Sequence, residues 1–412
     1  MEINTIKNDL KVTQMLDPKI FYKKLDAILN RIFEDKTEED FLYSILEALE
    51  KSFGKSLNFS NGRIYKAHTG GFFELYYPEK DEKKYAMTIS VTSQAVSLVL
   101  LFGMYIFDDE ANQNEFRLKN SNGYSVPVVF TVKDDDRHCL FVYDLKDGWI
   151  REEIEFCFNA VRSALNMRIY TDNIENEIIQ AASIQRSLLP RKAPRMENFE
   201  IAFRSEAAEF IVGDLYDFYT FDSEYIGVGI GDVSGHGLPS ALLVRDVVTG
   251  LRMGLAKEMK MVYTMRKLNQ VIHQSTFSSR FVSLFYGEFD KTGHLIYVNA
   301  GHPPPILVFG GEVSELPATG TFIGALPDID LYRSYTYLDI DSVLVLYSDG
   351  IFERTNLKGE QFGLDRLKKL IKENQKECSQ IILKRIFSAV FEFGNREKWN
   401  DDTTLIIIKR IA

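Results

Sequence analysis

Apolar residues recur at steps of three and four between positions 20 and 33 (Ile20, Phe21, Leu25, Ile28, Leu29, Ile32, Phe33), the period of a helix that buries one stripe. Thr37-Glu-Glu-Asp40 reads as the start of a second helix, because a threonine followed three residues later by an acid can satisfy the orphan N–H groups of a first turn; Phe41, Leu42, Ile45, Leu46 and Leu49 then share one face. From Arg63 to Tyr143 the texture changes to short β-rich runs punctuated by Gly70-Gly71, Pro78, Asn122-Gly123 and Asp134-Asp-Asp136, which predicts a small sheet. A long helical signal begins near Trp149 with Ile154, Phe158, Val161 and Leu165, is interrupted by polar residues from Arg168 to Asn176, and resumes with Ile174, Ile178, Ala181, Ile184 and Leu188 until Pro190 stops it. Residues 154–165 are read as packing on their own domain, and 166–189 as an exposed linker or dimer seam. Past Pro194 the chain becomes strand-rich, with helical blocks at Leu238 to Met259, Val262 to Ser275 and Leu364 to Phe393. Sheets flanked by segregated helices predict an α+β protein.

Length and composition sharpen this picture. A chain of 412 residues exceeds one ordinary core. The expected organisation is a helical extension (1–36), a regulatory domain (37–165), a helical linker (166–195) and a C-terminal domain (196–412). A net charge of −10 argues against a nucleic-acid or anionic-membrane partner. Cys139, Cys157 and Cys378 lack the spacing of a disulfide framework or a thiolate zinc site. The N-terminus has no signal pattern, and the longest apolar run, Ala95 to Phe107, falls short of the ~20 residues a membrane-spanning helix needs. A cytoplasmic protein is expected.

The candidate chemistry lies in four short segments of the second half. Ile211-Val-Gly-Asp214 is the first; the apolar strand Tyr225 to Gly231 runs into Asp232 and a glycine-rich turn; Val343 to Ser348 runs into Asp349; and Asp401-Asp402 leads into the strand Leu405 to Ile408. In an antiparallel sheet the end of one strand lies beside the start of its neighbour, so two strands ending in Asp and one beginning with Asp can place their carboxylates on one rim, with Asp214 as a fourth. Converging carboxylates repel one another, and such a cluster of hard oxygen ligands suits divalent cations such as magnesium or manganese. Singly, an Asp-Gly after a strand is a turn; together in one domain the four segments point to a metal centre.

The series Ala181-Ala-Ser-Ile-Gln-Arg-Ser-Leu-Leu-Pro190, Gly213-Asp-Leu-Tyr-Asp217, Gly231-Asp-Val-Ser-Gly-His-Gly-Leu-Pro239, Tyr297-Val-Asn-Ala-Gly-His-Pro-Pro-Pro305, Tyr347-Ser-Asp-Gly-Ile351 and Asp401-Asp-Thr-Thr404 resembles the RsbU / stage II sporulation protein E branch of the metal-dependent (PPM-type) protein phosphatases. The resemblance implies an α-β-β-α sandwich with two ions, Mn2+ or Mg2+, at one end. It also implies serine/threonine phosphatase activity in a bacterial partner-switching pathway, on a phosphorylated STAS-domain anti-sigma-factor antagonist. By motif position Asp232 would bridge both ions, the Val233 carbonyl would bind one, Asp214 would support that ion directly or through water, and Asp349 and Asp401 would complete the other. Asp232, Asp349 and Asp401 are the expected catalytic residues, Asp401 being preferred to Asp402 as the first acid of its motif. The chain departs from the family at Val212, where glycine is usual, and at Ser234, where eukaryotic relatives have a histidine. No general acid is assigned, and His302 is expected to be structural.

The helix–sheet–helix order of residues 37–170 resembles a GAF domain, which implies a small-molecule or protein signal there, and the linker suggests a homodimer. Two other readings compete. Gly229-Ile-Gly-Asp-Val-Ser-Gly235 lacks the Lys-Ser/Thr of a phosphate-binding loop and has its third glycine misplaced for a dinucleotide site. A non-catalytic adaptor that binds a phosphoprotein is disfavoured by the presence of all four aspartates.

Overall fold

The computed structural model describes residues 18–34, 41–76, 85–109, 114–117, 119–120, 123–134, 137–221, 224–235, 237–255, 260–275 and 280–412. The helix start at Thr37 to Asp40, and His236, lie outside these residues. The chain divides into two units, Met1–Glu175 and Asn176–Ala412.

The first unit contains α1 (Pro18–Glu34), α2 (Phe41–Phe53), β1 (Phe59–His68), β2 (Phe72–Tyr76), β3 (Thr88–Ser90), α3 (Gln94–Phe102), β4 (Met104–Ile106), the short pair β5 (Lys119–Asn120) and β6 (Gly123–Tyr124), β7 (Val126–Asp134), β8 (Arg137–Leu145), and the first part of α4 (Arg151–Leu188). Six strands form an antiparallel sheet in the order β3-β2-β1-β8-β7-β4. Period-two alternation sorts its side chains. Val128, Phe130, Val132, Phe141 and Tyr143 join the stripes of α1, α2 and α4, including Phe21, Leu25, Ile28, Ile154, Phe158 and Val161. Tyr65, Val129, Leu140 and Val142 join Val96 and Val99 of α3.

Two readings change here. The apolar run from Ala95 contains helix α3, whose signals flank it: Ser93 Oγ accepts the Val96 N–H at 3.2 Å, and Gly103, at φ 77°, donates its N–H to Val99 O at 2.8 Å. Helix α4 runs unbroken through Arg168 to Asn176 for 38 residues. That stretch holds no Gly or Pro to stop a helix. Arg168 stands at a core position as an anchor: it is buried, its Nε donates to Asp172 Oδ2 at 2.8 Å, its guanidinium donates to the Ile32 carbonyl, and it lies 4.7 Å from the Phe41 ring centroid.

The second unit continues with β9 (Phe199–Glu206), β10 (Asp214–Thr220), β11 (Tyr225–Val233), α5 (Leu238–Leu255), α6 (Met261–Ser275), β12 (Val282–Asp290), β13 (His294–Ala300), β14 (Ile306–Phe309), β15 (Glu312–Glu315), β16 (Ser334–Tyr337), β17 (Val343–Tyr347), α7 (Asp349–Phe352), α8 (Leu364–Asn374), α9 (Ser379–Phe393) and β18 (Thr403–Arg410). Two five-stranded sheets form, β10-β11-β12-β13-β16 and β15-β14-β17-β18-β9. In β17 and β18, Leu344, Leu346, Ile406 and Ile408 join the core shared with the first sheet and with Val244, Val247, Val248 and Met265 of α5 and α6. Val343, Val345, Tyr347, Leu405 and Ile407 instead meet Leu367, Ile371, Ile382 and Ile386 of α8 and α9. The layer order is therefore helix, sheet, sheet, helix. The block Leu364 to Phe393, read as one helix, is two. Lys409 Nζ pins the turn between them by donating to Gln375 O at 3.0 Å and Glu377 O at 2.7 Å.

Candidate active site

Strands β10 and β11 pair with Asp214 opposite Asp232. Strands β17 and β18 pair with Tyr347 opposite Leu405, so Asp349 leaves one strand at the end where Asp401 and Asp402 enter the other. Reciprocal bonds fix that junction, with Ser348 N–H donating to Thr404 O at 3.0 Å and Thr404 N–H to Ser348 Oγ at 2.9 Å. Gly350 permits the close approach, since a Cβ there would stand 2.2 Å from Asp402 O.

Asp232, Val233, Gly235, Asp349, Asp401 and Asp402 line one cavity of about 400 Å³. Four of the five expected site residues thus share a wall. Asp214 is not among the residues that line it; it is buried, its Oδ2 accepting the Thr404 hydroxyl at 2.6 Å. Asp402 is turned to the protein: Oδ1 accepts the Ala208 N–H at 2.9 Å and Oδ2 the Gly213 N–H at 2.5 Å. Its neighbour Asp401 is exposed, with Oδ1 accepting the Asp402 N–H at 2.8 Å.

The loop before β10 is held from a second direction. Buried Gln185 of α4 donates Nε2 to Val212 O at 2.5 Å and accepts the Val212 N–H at 3.2 Å. Val212, the departure from glycine, is buried there. Gly213, whose built Cβ would lie 3.3 Å from Asp232 Oδ1, is the position that lets the backbone run close to the carboxylates. Sequence reasoning did not find Gln185, Ser348, Thr404 or the stapling use of Asp402, although all four fall in the quoted segments.

The electrostatics follow from burial and crowding. Burial first, then Asp349, Asp401 and Asp402, pushes the Asp232 carboxyl up to about 7. Burial, then Asp401 and Glu353, pushes Asp349 up to about 6. Asp214 is raised well above its usual value by burial and by Asp232, against the Thr404 hydrogen bond. Asp402 is raised by burial and partly restored by the Ala208 and Gly213 N–H groups. No Lys or Arg is among the described residues that line the cavity. Among the described residues no three His, Cys, Asp or Glu side chains form a ready cage around one ion. A magnesium-like ion does not require one, since it retains several waters and takes only one or two carboxylates. An uncompensated acidic rim with a backbone carbonyl nearby therefore fits hard divalent cations in its donor chemistry.

Among the described residues that line the cavity there is no histidine. His302 is buried, its Nδ1 lies 3.0 Å from Ser283 Oγ, its N–H donates to Asn299 Oδ1 at 2.9 Å, and burial lowers its pKa to about 3, which keeps it neutral. Ser234 Oγ accepts the Phe281 N–H at 2.9 Å and so shapes the turn after Asp232.

Comparisons with known proteins bear on this geometry. The profile of the family described as Stage II sporulation protein E (SpoIIE) matches residues 222–411. The chain is 30% identical over 256 residues to the phosphoserine phosphatase RsbU of Bacillus subtilis (strain 168), covering 61% of this chain and 75% of that protein. It is 30% identical over 189 residues to the phosphoserine phosphatase RsbP of the same organism, covering 44% of this chain and 47% of that protein. The solved SiaA-PP2C domain of Pseudomonas aeruginosa superposes with a TM-score of 0.52 at 19% identity, over 59% of this chain and 99% of that one, a likeness of fold.

Proposed function

The chain belongs to the SpoIIE family of PPM-type serine/threonine phosphatases, that of RsbU, and on that footing we propose that the cavity between Asp232, Asp349 and Asp401 is a two-metal phosphomonoesterase centre. The observation that carries the reading is the convergence of these three carboxylates on one rim with no Lys or Arg among the described residues that line it. Mn2+ or Mg2+ suits the donors. Asp232, the Val233 carbonyl, Asp349 and Asp401, which line the cavity together, are the groups that would hold such ions. Asp402 is committed to two backbone N–H groups, which favours Asp401 as the ligand. Asp214, paired opposite Asp232 and held by the Thr404 hydroxyl, would support an ion directly or through water. When bound, such ions neutralise phosphoryl oxygens and lower the pKa of a coordinated water toward neutrality. The protein's own part is to hold the carboxylates in register through the Ser348–Thr404 and Asp402–Gly213 bonds, while the crowding that raises their pKa values is what a bound cation would relieve.

The substrate is read as a phosphoserine or phosphothreonine protein, a phosphorylated STAS-domain partner in a partner-switching pathway; the phosphoserine phosphatases among the relatives support the phosphoserine part of that reading. The first unit, a six-stranded antiparallel sheet with helices packed on both faces, is read as a GAF-like regulatory domain, and exposed Met167 and Ile184 along α4 support a homodimer. The direct test is hydrolysis of p-nitrophenyl phosphate with added Mn2+. Asp232→Asn abolishes turnover with an unchanged circular dichroism spectrum; activity within about twofold of the parent would refute the centre. Release of phosphate from a phosphorylated STAS protein tests the substrate separately.

A further inference from the structure

Within the first unit, a cavity of about 540 Å³ lies between the C-terminal end of α3, strands β7 and β8, and α4. Leu101, Phe102 and Tyr170 give it an apolar wall that is largely exposed. Arg162 and Lys133 give it positive charge, and no Asp or Glu is among the described residues that line it. In a chain of net charge −10 such a lining is not what composition alone would supply.

Arg162 brings its guanidinium to this wall. Its Nε is buried with no hydrogen-bond partner among the described residues. The guanidinium lies against Gly103, where any Cβ would overlap it, so the glycine that ends α3 also admits the arginine. Lys133 belongs to a fixed wall, its N–H donating to Asn166 Oδ1 of α4 at 2.8 Å. His138 adds a ring whose Nδ1 lies 3.1 Å from Thr131 Oγ1; burial and the Lys133 charge lower its pKa, so it adds no fixed charge at neutral pH. The charge of Arg162 and Lys133 beside an apolar wall matches an anion with an apolar body.

We infer that this cavity binds a small organic carboxylate, its head paired with Arg162 and Lys133 and its apolar part against Phe102 and Tyr170. The inference does not depend on the phosphatase chemistry of the second unit.

The test titrates the full chain with benzoate, hexanoate and inorganic phosphate, read by isothermal calorimetry and ligand-observed NMR. Both carboxylates bind the parent protein. Arg162→Gln weakens them by about tenfold or more and Lys133→Gln by several-fold, on the scale of lost charge-assisted hydrogen bonds. Lys133 is exposed, so its variant keeps the test valid should Arg162→Gln unfold. Three results overturn the inference: no carboxylate bound by the parent, carboxylate binding unchanged in both variants, or Arg162-dependent phosphate binding as tight as benzoate, the mark of a bare inorganic-anion site. A parent that binds no carboxylate but changes mass in solution on Arg162→Gln would assign the surface to a second copy instead.

Discussion

Asp402 accepts two backbone N–H groups while the adjacent Asp401 faces the cavity, so substitutions at these neighbours should separate stability from activity. Asp402→Ala leaves the Ala208 and Gly213 N–H groups without acceptors and should cost about 2–4 kcal/mol in urea unfolding. Asp401→Asn, at an exposed site, should leave the midpoint nearly unchanged and raise the Mn2+ concentration needed for half-maximal activity. Asp232 carries a pH signature. Its folded pKa, about 7, lies above the ordinary 3.8, so between these values the folded state binds more protons than the unfolded state, and stability falls as pH rises through the window. Asp349, raised to about 6, acts in the same direction. In chelator, Asp232→Asn should therefore be more stable than the parent at pH 8, by about 1–3 kcal/mol, with the gap closing toward pH 5. A variant equally or less stable at pH 8 would show that the carboxylates are not crowded.

Helix α4 serves the site as an element, because a side chain on its last turns replaces what a strand partner would otherwise do for the loop at Val212. Gln185 meets both the N–H and the carbonyl of that residue. Gln185→Ala should lower the stability of the second unit by about 1–3 kcal/mol and speed hydrogen exchange at the Val212 amide. Unchanged exchange there would mean that Asp402 alone secures the loop. The same helix passes unbroken through Arg168 because the guanidinium finds Ile32, Asp172 and Phe41.

On the scale of the whole molecule, the second unit holds its own cores, one shared by the two sheets and α5–α6 and one under α8–α9. A third, small cluster joins Ala182 of α4 to Ile211 and Ala241, with Ile178 packed against it. A fragment spanning 176–412 should therefore unfold in one cooperative urea transition. A fragment spanning 196–412 loses Gln185, Ile178 and Ala182 and should be less stable by more than about 2 kcal/mol. Equal midpoints would assign α4 no structural part in the catalytic unit.

Local chemistry made much of this legible in the chain itself. The three- and four-residue spacing of Phe21, Leu25, Ile28 and Ile32 marked α1, and the strands running into Asp232 and Asp349 marked the ends where carboxylates gather, because periodicity and turn residues act over a few positions. The segment order from Gly213 to Thr404 carried the family. Contacts distant in sequence decided the rest. Arg168 looks like a break until Ile32 is beside it, the turn after Asn374 is set by Lys409, and Asp402 gains its stapling role only once Ala208 and Gly213 have folded against it. No local pattern encodes which of two adjacent acids meets a backbone N–H some 190 residues away; that is settled when β9, β10 and β18 come together.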